Sequence, residues 1–366
     1  MNHFLLGRAL LFILTALPEI SSAVKSRVTV KVVPDRLYSD RVGSLLRIDC
    51  DFELTNSSDK AYEIDDVRAK AFAADGTLLV WNKVDSNGTR PSIEVVGRRR
   101  IEPKGQLTLF NPFVFDTVAP VDHLVYEFRL SGPADEDLRI SAEVRPVAFR
   151  QKTRLIVPVP GVRMWVYDGP GFLSHHRRVD LLDPFNRDVL GIYGNAERYA
   201  LDLVVIDKDG SAFHGDPKEQ KNWTGFGTRI IAPAPGTVIE AEGSLPDDIP
   251  FNEVEAKEKP VLMVGNHVVI DHGNGEFSLL AHFRRGSLRV EKGRRVAAGE
   301  VLGEMGHSGM GSGLIHLHYE LRDRPGLFDA EGLPASFDGF RRAGSAKPEH
   351  GEIQAGWVIE TERLRQ

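Results

Sequence analysis

Short runs of alternating apolar and polar residues recur through the first half of the chain and constrain its fold more than any other feature. Examples are residues 28–32 (VTVKV), 46–52 (LRIDCDF) and 124–128 (LVYEF). Because successive side chains of a strand point to opposite faces, each run predicts a strand with one buried and one wet face. Turn sequences such as Asn87-Gly88 separate the runs. Residues 28–150 are therefore predicted to form an immunoglobulin-like β-sandwich.

The second half of the chain is organised differently. Residues 151–160 end in alternating valine and proline, which predicts an extended linker because proline lacks the amide hydrogen that a central strand needs. Over residues 161–330, glycine-rich turns separate short apolar runs, which indicates further strands. A chain of 366 residues is long enough for two domains, so we predict an all-β protein with antiparallel sheets in both. Residues 331–366 are expected to be a C-terminal extension without a catalytic role.

Residues 1–23 have the plan of an export signal. Arg8 precedes an apolar run over residues 9–17, Pro18 ends that run, and residues 21–23 (SSA) provide the small side chains that a signal peptidase needs. An uncleaved membrane anchor is the alternative, but the run is shorter than the roughly 20 residues that span a bilayer. The mature protein is expected to be exported to the periplasm or the extracellular space, with no transmembrane segment after cleavage.

Charge and cysteine content exclude two classes of function. Lys and Arg total 46 and Asp and Glu total 52, so the formal net charge is −6. Nucleic-acid-binding proteins usually carry a clear basic excess, so no nucleic-acid partner is expected. Cys50 is the only cysteine in the sequence, which excludes an intrachain disulfide and any cysteine-rich zinc or iron–sulfur site.

His316 and His318 provide the strongest chemical signal. Residues two apart on a strand face the same side, so both imidazoles would project into one site. Such a pair suits one zinc ligand and one acid–base group. His282 closes a second apolar strand, and Asp202 lies inside a third, where a bare carboxylate is costly unless it is paired or bound to metal.

These residues together resemble the lysostaphin/LytM-type zinc endopeptidases, which cut peptide cross-links in bacterial peptidoglycan. The resemblance covers about residues 161–324 and follows the family's order of motifs: Ala232-Pro233, Gly236-x-Val238, Ala281-His282, Val290-x-x-Gly293-x-x-Val296-x-x-Gly299, Gly306-x-Ser308-Gly309 and His316-Leu317-His318-Tyr319-Glu320. It implies a LytM-like antiparallel β-sheet peptidase domain of the duplicated hybrid-motif type. It also implies zinc as the cofactor and peptidoglycan peptides as the substrate.

The resemblance implies a role for each candidate residue. Asp202 and His318 would be zinc ligands. His282 and His316 would position and activate the attacking water and stabilise the oxyanion. Zinc makes water nucleophilic near neutral pH, and a donor imidazole helps to hold the negative charge that develops on the carbonyl oxygen.

One position departs from the family pattern. The histidine that should precede Asp202 by four residues is Arg198, and a guanidinium cannot ligate zinc because it stays protonated. An imidazole from elsewhere could replace it, with His175 and His176 as the first candidates and His214 as another. Alternatively the metal site is lost, and an ion pair between Arg198 and Asp202 explains the aspartate.

Two functions other than hydrolysis also fit the sequence. A domain without zinc could act as a cell-wall-binding activator or scaffold, as degenerate relatives do for cell-wall amidases. The chain could instead be an adhesion or envelope-assembly module whose sandwich binds an envelope protein. Zinc content separates the enzyme from the scaffold.

Overall fold

The computed structural model describes residues 27–310 and 313–363. The expected export signal at residues 1–23 lies outside the described residues. Within them the chain folds into β-strands joined by turns and short helices, which confirms the all-β prediction. In this part of the chain, no helix has both the length and the apolar character needed to cross a bilayer.

The N-terminal half is built from strands and two short 3-10 helices. Its strands are β1 (Val28–Val33), β2 (Tyr38–Val42), β3 (Leu45–Ile48), β4 (Asp51–Asn56), β5 (Tyr62–Phe72), β6 (Leu78–Asp85), β7 (Arg100–Ile101), β8 (Gln106–Phe110), β9 (Val114–Asp116), β10 (His123–Gly132), β11 (Glu136–Val144) and β12 (Val147–Ala148). The 3-10 helices are Ser92–Val96 and Pro133–Asp135.

Two of the N-terminal sheets pack face to face as a sandwich. One sheet has the order β1-β4-β8, and the other has the order β11-β10-β5-β6, with β7 on β5. Phe52 of the first sheet lies 4.7 Å and 5.0 Å, between ring centroids, from Tyr126 and Phe128 of the second. Inward residues of both sheets form one buried cluster. The alternation of apolar and polar residues in the sequence arises because every second side chain of a strand enters this shared core. A further sheet, β12-β2-β3-β9, completes the unit.

The C-terminal half has more strands and several short helices. Its strands are β13 (Leu155–Ile156), β14 (Arg163–Asp168), β15 (Leu201–Ile206), β16 (Arg229–Ile231), β17 (Gly236–Glu242), β18 (His267–Asp271), β19 (Phe277–Ala281), β20 (Arg295–Val296), β21 (Val301–Glu304), β22 (Leu317–Arg322), β23 (Ser336–Arg342), β24 (Glu349–Glu352) and β25 (Val358–Thr361). The helices are α1 (Glu253–Glu258) and α2 (Val261–Val264), the 3-10 helices His176–Arg178, Ala196–Tyr199 and Gln220–Asn222, and a π-helix, Phe185–Val189.

One large sheet organises this half, with the order β13-β23-β25-β14-β15-β22-β19-β18-β17-β20. Its central strands β15, β22 and β19 are antiparallel neighbours. Asp202 of β15 pairs in register with His318 of β22, and His318 pairs on its other side with Ala281 of β19. The register therefore gathers the predicted site residues at one place on the sheet.

The sheet includes strands from both sides of the predicted domain, residues 161–330. The segment predicted as a C-terminal extension contributes β23, β24 and β25, and β25 pairs with β14. The segment predicted as a linker contributes β13, which pairs with β23. Phe337 of β23 is fully buried, and its ring meets the ring of Tyr319, next to His318, edge-on at 5.2 Å between centroids.

Replacing Phe337 with alanine tests whether the C-terminal strands belong to the core. Phe337→Ala should lower the free energy of unfolding by about 3–5 kcal/mol, because it leaves a cavity against Tyr319. Phe251 is 56% exposed, so Phe251→Ala should change stability by no more than about 0.5 kcal/mol. Denaturant unfolding measures both. Similar small effects from the two variants would contradict this account of the sheet.

Candidate active site

Asp202 and His318 form the centre of the site. The two lie opposite each other on β15 and β22, and His318 Nδ1 is 3.1 Å from Asp202 Oδ1. His316, just before β22, places its Nε2 3.3 Å from the same oxygen. All three residues are buried. The structure thus brings His316, His318 and Asp202 together at one place on the sheet.

His282 enters the site at the end of β19. Its backbone has a φ of +67°, the left-handed region that a non-glycine residue rarely adopts. Its Nδ1–H donates to the Ser308 carbonyl at 2.6 Å, which leaves Nε2 without the proton in a neutral ring. The His282 ring lies 4.6 Å from the His316 ring between centroids. His316 likewise donates through Nδ1, to the Leu314 carbonyl at 3.0 Å.

His176 comes to the site from a different segment of the chain. It begins a one-turn 3-10 helix and is buried. Its Nε2 lies 3.5 Å from Asp202 Oδ2, and its ring lies 4.7 Å from the His318 ring between centroids. The amide of Asn195 fixes the turn by donating to the carbonyls of His176 and Arg177 at 3.1 Å and 3.3 Å.

The other candidate imidazoles lie differently. The His175 side chain is 63% exposed and pairs with Asp168 through Nδ1. His175 groups with Asp168 and His176, whereas the group at the centre of the site contains His176, Asp202 and His318. His214 is also exposed, and its Nε2 lies 2.7 Å from Asp207.

Arg198 is turned away from Asp202. Its Nη1 donates to Asp51 Oδ2 at 2.8 Å, and its Nε donates to Glu331 Oε2 at 3.4 Å. Asp51 belongs to the N-terminal sandwich, so the guanidinium bridges the two halves of the protein. The alternative in which Arg198 pairs with Asp202 does not hold, because carboxylates of Asp51 and Glu331 accept its hydrogen bonds instead.

The donors at the centre of the site suit a metal ion. One ring nitrogen each from His176 and His318 and one oxygen of Asp202 lie within 4.8 Å of one another. Two imidazoles and a carboxylate are a ligand set typical of zinc hydrolases, which keep a fourth position open. His176 Nδ1 is buried and has no hydrogen-bond partner in the described part of the chain. Its nearest carboxylate oxygen, Asp168 Oδ2, lies 3.7 Å away.

Burial and neighbouring charges set the protonation of these groups. Burial alone would raise the pKa of Asp202, but the imidazoles of His316 and His176 hold that pKa well below its usual range. Burial lowers the pKa of His176 to about 3 and that of His282 well below its ordinary value. Asp202 is therefore ionised at neutral pH, whereas His176 and His282 are neutral and keep a lone pair.

Glu320 orients His318 from behind. His318 Nε2 donates to Glu320 Oε1 at 2.8 Å, and Arg322 Nε donates to Glu320 Oε2 at 2.8 Å. Burial would raise the pKa of Glu320, but Arg322 lowers it to about 2. Burial would also lower the pKa of His318, but its bonds to Asp202 and Glu320 raise it well above its ordinary value. A carboxylate behind an imidazole fixes which ring nitrogen is free for another partner, and in His318 that nitrogen is Nδ1.

Glu320 was not predicted as a site residue, although its position in the sequence indicates that it lies beside His318. It lies two residues after His318 on β22 and so shares its face of the strand. An acidic residue at that spacing, on a strand otherwise rich in apolar residues, is the pattern that could have identified it.

A groove of about 840 Å³ opens over the site. The candidate residues lie on its floor. Apolar residues, Leu190, Met263, Leu279, Met310, Leu327 and Phe328 among them, share its lining with polar residues such as Arg178, Asn186 and Glu197. A groove of this size with a few convergent polar groups is typical of a small-ligand or peptide site.

Comparison with known proteins identifies the domain. Residues 223–330 match the model of peptidase family M23. The chain carries a peptidase family M23 domain. The match includes His282, His316 and His318 but begins downstream of His176 and Asp202, so it excludes the segments in which the ligand set departs from the family pattern.

A curated relative supports the same assignment. The chain is 34% identical over 100 residues to the peptidoglycan DD-endopeptidase ShyA of Vibrio cholerae serotype O1, an alignment that covers 27% of this chain and 23% of the relative. The chain therefore spans about a quarter of that relative's length. Together the M23 match and this relative support a peptidase.

Solved structures of related folds share lower identity. The catalytic domain of the prophage-encoded M23 protein EnpA from Enterococcus faecalis is 20% identical, with 50% of this chain and 95% of that chain covered and a TM-score of 0.27. Csd3 from Helicobacter pylori is 12% identical, with 91% and 77% covered and a TM-score of 0.26.

Removing the charge of Glu320 tests its role behind His318. Glu320→Gln should weaken zinc binding by about 10–100-fold, because an amide supports the imidazole less well than a carboxylate. Glu300 pairs with Arg294 on the surface, and Glu300→Gln should leave zinc binding unchanged. Competition with a chromophoric chelator measures both. Equal affinities in the two variants would show that Glu320 does not support the ligand.

Proposed function

We propose that this protein is an exported zinc-dependent metalloendopeptidase that hydrolyses amide bonds in peptidoglycan peptides. The observation that carries the proposal is the position of His176 beside Asp202 and His318. It supplies the second imidazole that Arg198 cannot provide. The M23 match and the peptidoglycan endopeptidase relative support the reaction and substrate class.

The metal would be held by three groups of this chain. His318 would bind through Nδ1, since Glu320 accepts the hydrogen on its Nε2. His176 would bind through Nε2, the nitrogen nearer to Asp202, and Asp202 through its carboxylate. Bound zinc supplies Lewis-acid polarisation of the scissile carbonyl and lowers the free energy of forming a nucleophile at neutral pH.

His282 and His316 would handle the proton and the developing charge. Each donates its Nδ1–H to a backbone carbonyl, so Nε2 is the nitrogen of each ring that would be available for proton transfer. Nε2 of one ring would accept the proton of the attacking water. The imidazolium formed in this way would stabilise the negative charge that develops on the carbonyl oxygen and then donate its proton to the leaving amine, while Nε2 of the other ring would hold the water by accepting a hydrogen bond from its second hydrogen. The fixed Nδ1 bonds hold both rings in place, so little reorganisation accompanies the reaction.

The groove would orient the substrate. The apolar residues of its lining would exclude water from the peptide on either side of the cleaved bond, which strengthens the electrostatic interactions at the floor. Main-chain atoms of an extended peptide could then lie across the row formed by His176, Asp202 and His318.

The scaffold alternative predicts a different metal content. A chain that only binds the cell wall has no need for a buried, ionised Asp202 with three imidazoles around it. In the described residues the charge of Arg198 is directed to Asp51 and Glu331, so it does not occupy the metal position. Fewer than about 0.1 zinc per chain after chelation and reloading, given the nanomolar or tighter binding expected of a zinc enzyme, would favour the scaffold.

Two adjacent histidines provide a matched test of the ligand set. His176→Gln should reduce bound zinc to well below one per chain. It should also lower cleavage of peptidoglycan peptides by more than about 100-fold, the upper end of what losing a ligand's supporting hydrogen bond costs. His175→Gln should retain the zinc, because His175 faces Asp168 and solvent. Zinc analysis and peptide cleavage measure both. Full zinc content and activity in His176→Gln would refute the proposal.

Export makes a separate prediction. The apolar run over residues 9–17 should direct secretion, and cleavage after Ala23 would give a mature chain beginning at Val24. N-terminal sequencing of the protein from a fractionated host measures this. A full-length chain that stays in the cytoplasmic fraction would contradict the export proposal and leave the metal site unaffected.

A further inference from the structure

The residue after His176 points in a different direction. Arg177 is fully buried, and in the described residues every hydrogen bond of its side chain is accepted by the N-terminal sandwich. Its Nη1 donates to Asp51 Oδ1 at 2.6 Å, its Nη2 donates to the Cys50 carbonyl at 2.5 Å, and its Nε donates to Asp49 Oδ1 at 3.3 Å. The turn that carries His176 is thus attached to the other domain.

The same sandwich carboxylate also holds the strand that carries Asp202. Asp51 Oδ1 accepts from Arg177, and Asp51 Oδ2 accepts from Arg198 at 2.8 Å. Arg198 closes the chain segment that leads into β15, four residues before Asp202. One buried carboxylate therefore fixes the two segments that bring His176 and Asp202 together.

The local structure of the turn cannot supply this fixation by itself. The 3-10 helix at His176–Arg178 has only three residues, and such short turns have poor hydrogen-bond geometry and little stability of their own. Asn195 and Ser174 bond its backbone from within the same domain. The Arg177 side chain needs buried carboxylates because an unpaired guanidinium is very costly in the interior.

We propose that Asp51 is a positioning residue for the metal site, so that docking of the sandwich completes the ligand set. This inference rests on the proposed function. Arg198 supplies no imidazole, but it brings Asp51 to the seam between the domains. Asp51 then holds Arg177, and the adjacent His176 takes the place of the missing ligand. The replacement of the missing ligand by His176 therefore depends on the docking of the sandwich.

The test compares two buried aspartates of the sandwich in the full-length protein. Asp51→Asn keeps the shape, but its amide offers one oxygen to two guanidinium groups and turns an NH2 toward the other. Asp66 is also buried, and it pairs with Arg68 within the sandwich, away from the seam. Asp66→Asn thus controls for a general effect on the sandwich.

Cobalt provides the measurement, because its visible absorption reports the donors around it and does not depend on activity. Asp51→Asn should weaken cobalt binding by at least about 10-fold, the lower end of the effect of outer groups that orient a ligand. Its cobalt spectrum should move toward that of His176→Gln. Asp66→Asn should match the wild-type protein in both.

A second pair of variants decides the question if Asp51→Asn does not fold. Arg177→Lys keeps the charge but can reach only one of the acceptors at 49–51, since lysine lacks the guanidinium fork. It should shift the cobalt spectrum in the same direction. Arg187→Lys, at an exposed arginine paired with its neighbour Asp188, should not. Thermal melting confirms that each variant is folded at the temperature of the measurement.

The outcomes separate the two proposals. A wild-type chain that binds neither zinc nor cobalt overturns the proposed function and this inference with it. Wild-type binding that is unchanged in folded Asp51→Asn or Arg177→Lys overturns this inference alone. Weaker binding with the spectrum of His176→Gln, in either variant, supports it.

Discussion

The arrangement of the protein depends on buried charge at the seam between its two halves. Arg177 and Arg198 are both almost inaccessible to water, and Asp51 accepts from each with a separate oxygen. Removing one partner from such a cluster leaves an uncompensated charge, which costs about 3–5 kcal/mol. The requirement for charge balance thus fixes the orientation of the sandwich. It also fixes the direction of the chain on either side of the site.

The sheet provides the second constraint. Antiparallel register places Asp202 beside His318 and His318 beside Ala281, directly before His282. Such pairing tolerates no one-residue slip, since a slip would turn each side chain to the opposite face. The residues contributed by the sheet are therefore rigidly placed, whereas His176 depends on a short turn and on the contacts that hold it.

The sequence predicted those features that follow from the alternation of residues along a single strand. Alternation along strands predicted the β-fold, and the two-residue spacing of His316 and His318 predicted their common direction. Asp202 stood out as a carboxylate inside an apolar strand. These inferences needed only the geometry of a single strand.

The features of the site that the sequence did not predict depend on contacts between segments far apart in the chain. Nothing in the order of His175 and His176 indicates which ring turns inward, because the answer lies in the bond between Arg177 and Asp51, 126 residues away. The partner of Arg198 could not be read from the sequence for the same reason, since Asp51 lies in the other half of the chain. The C-terminal segment, described from the sequence only as an extension, forms strands here because β13 and β14 offer open edges for pairing.

The shared carboxylate also separates this chain from the usual plan of its family. A histidine at position 198 would match the residue type of the family pattern, but it would leave Asp51 Oδ2 without its guanidinium partner in a buried interface. A change at Asp51 alone would leave two guanidinium groups facing each other. Each of these single substitutions would leave a buried group without its partner. A change from one arrangement to the other therefore requires replacements in both domains.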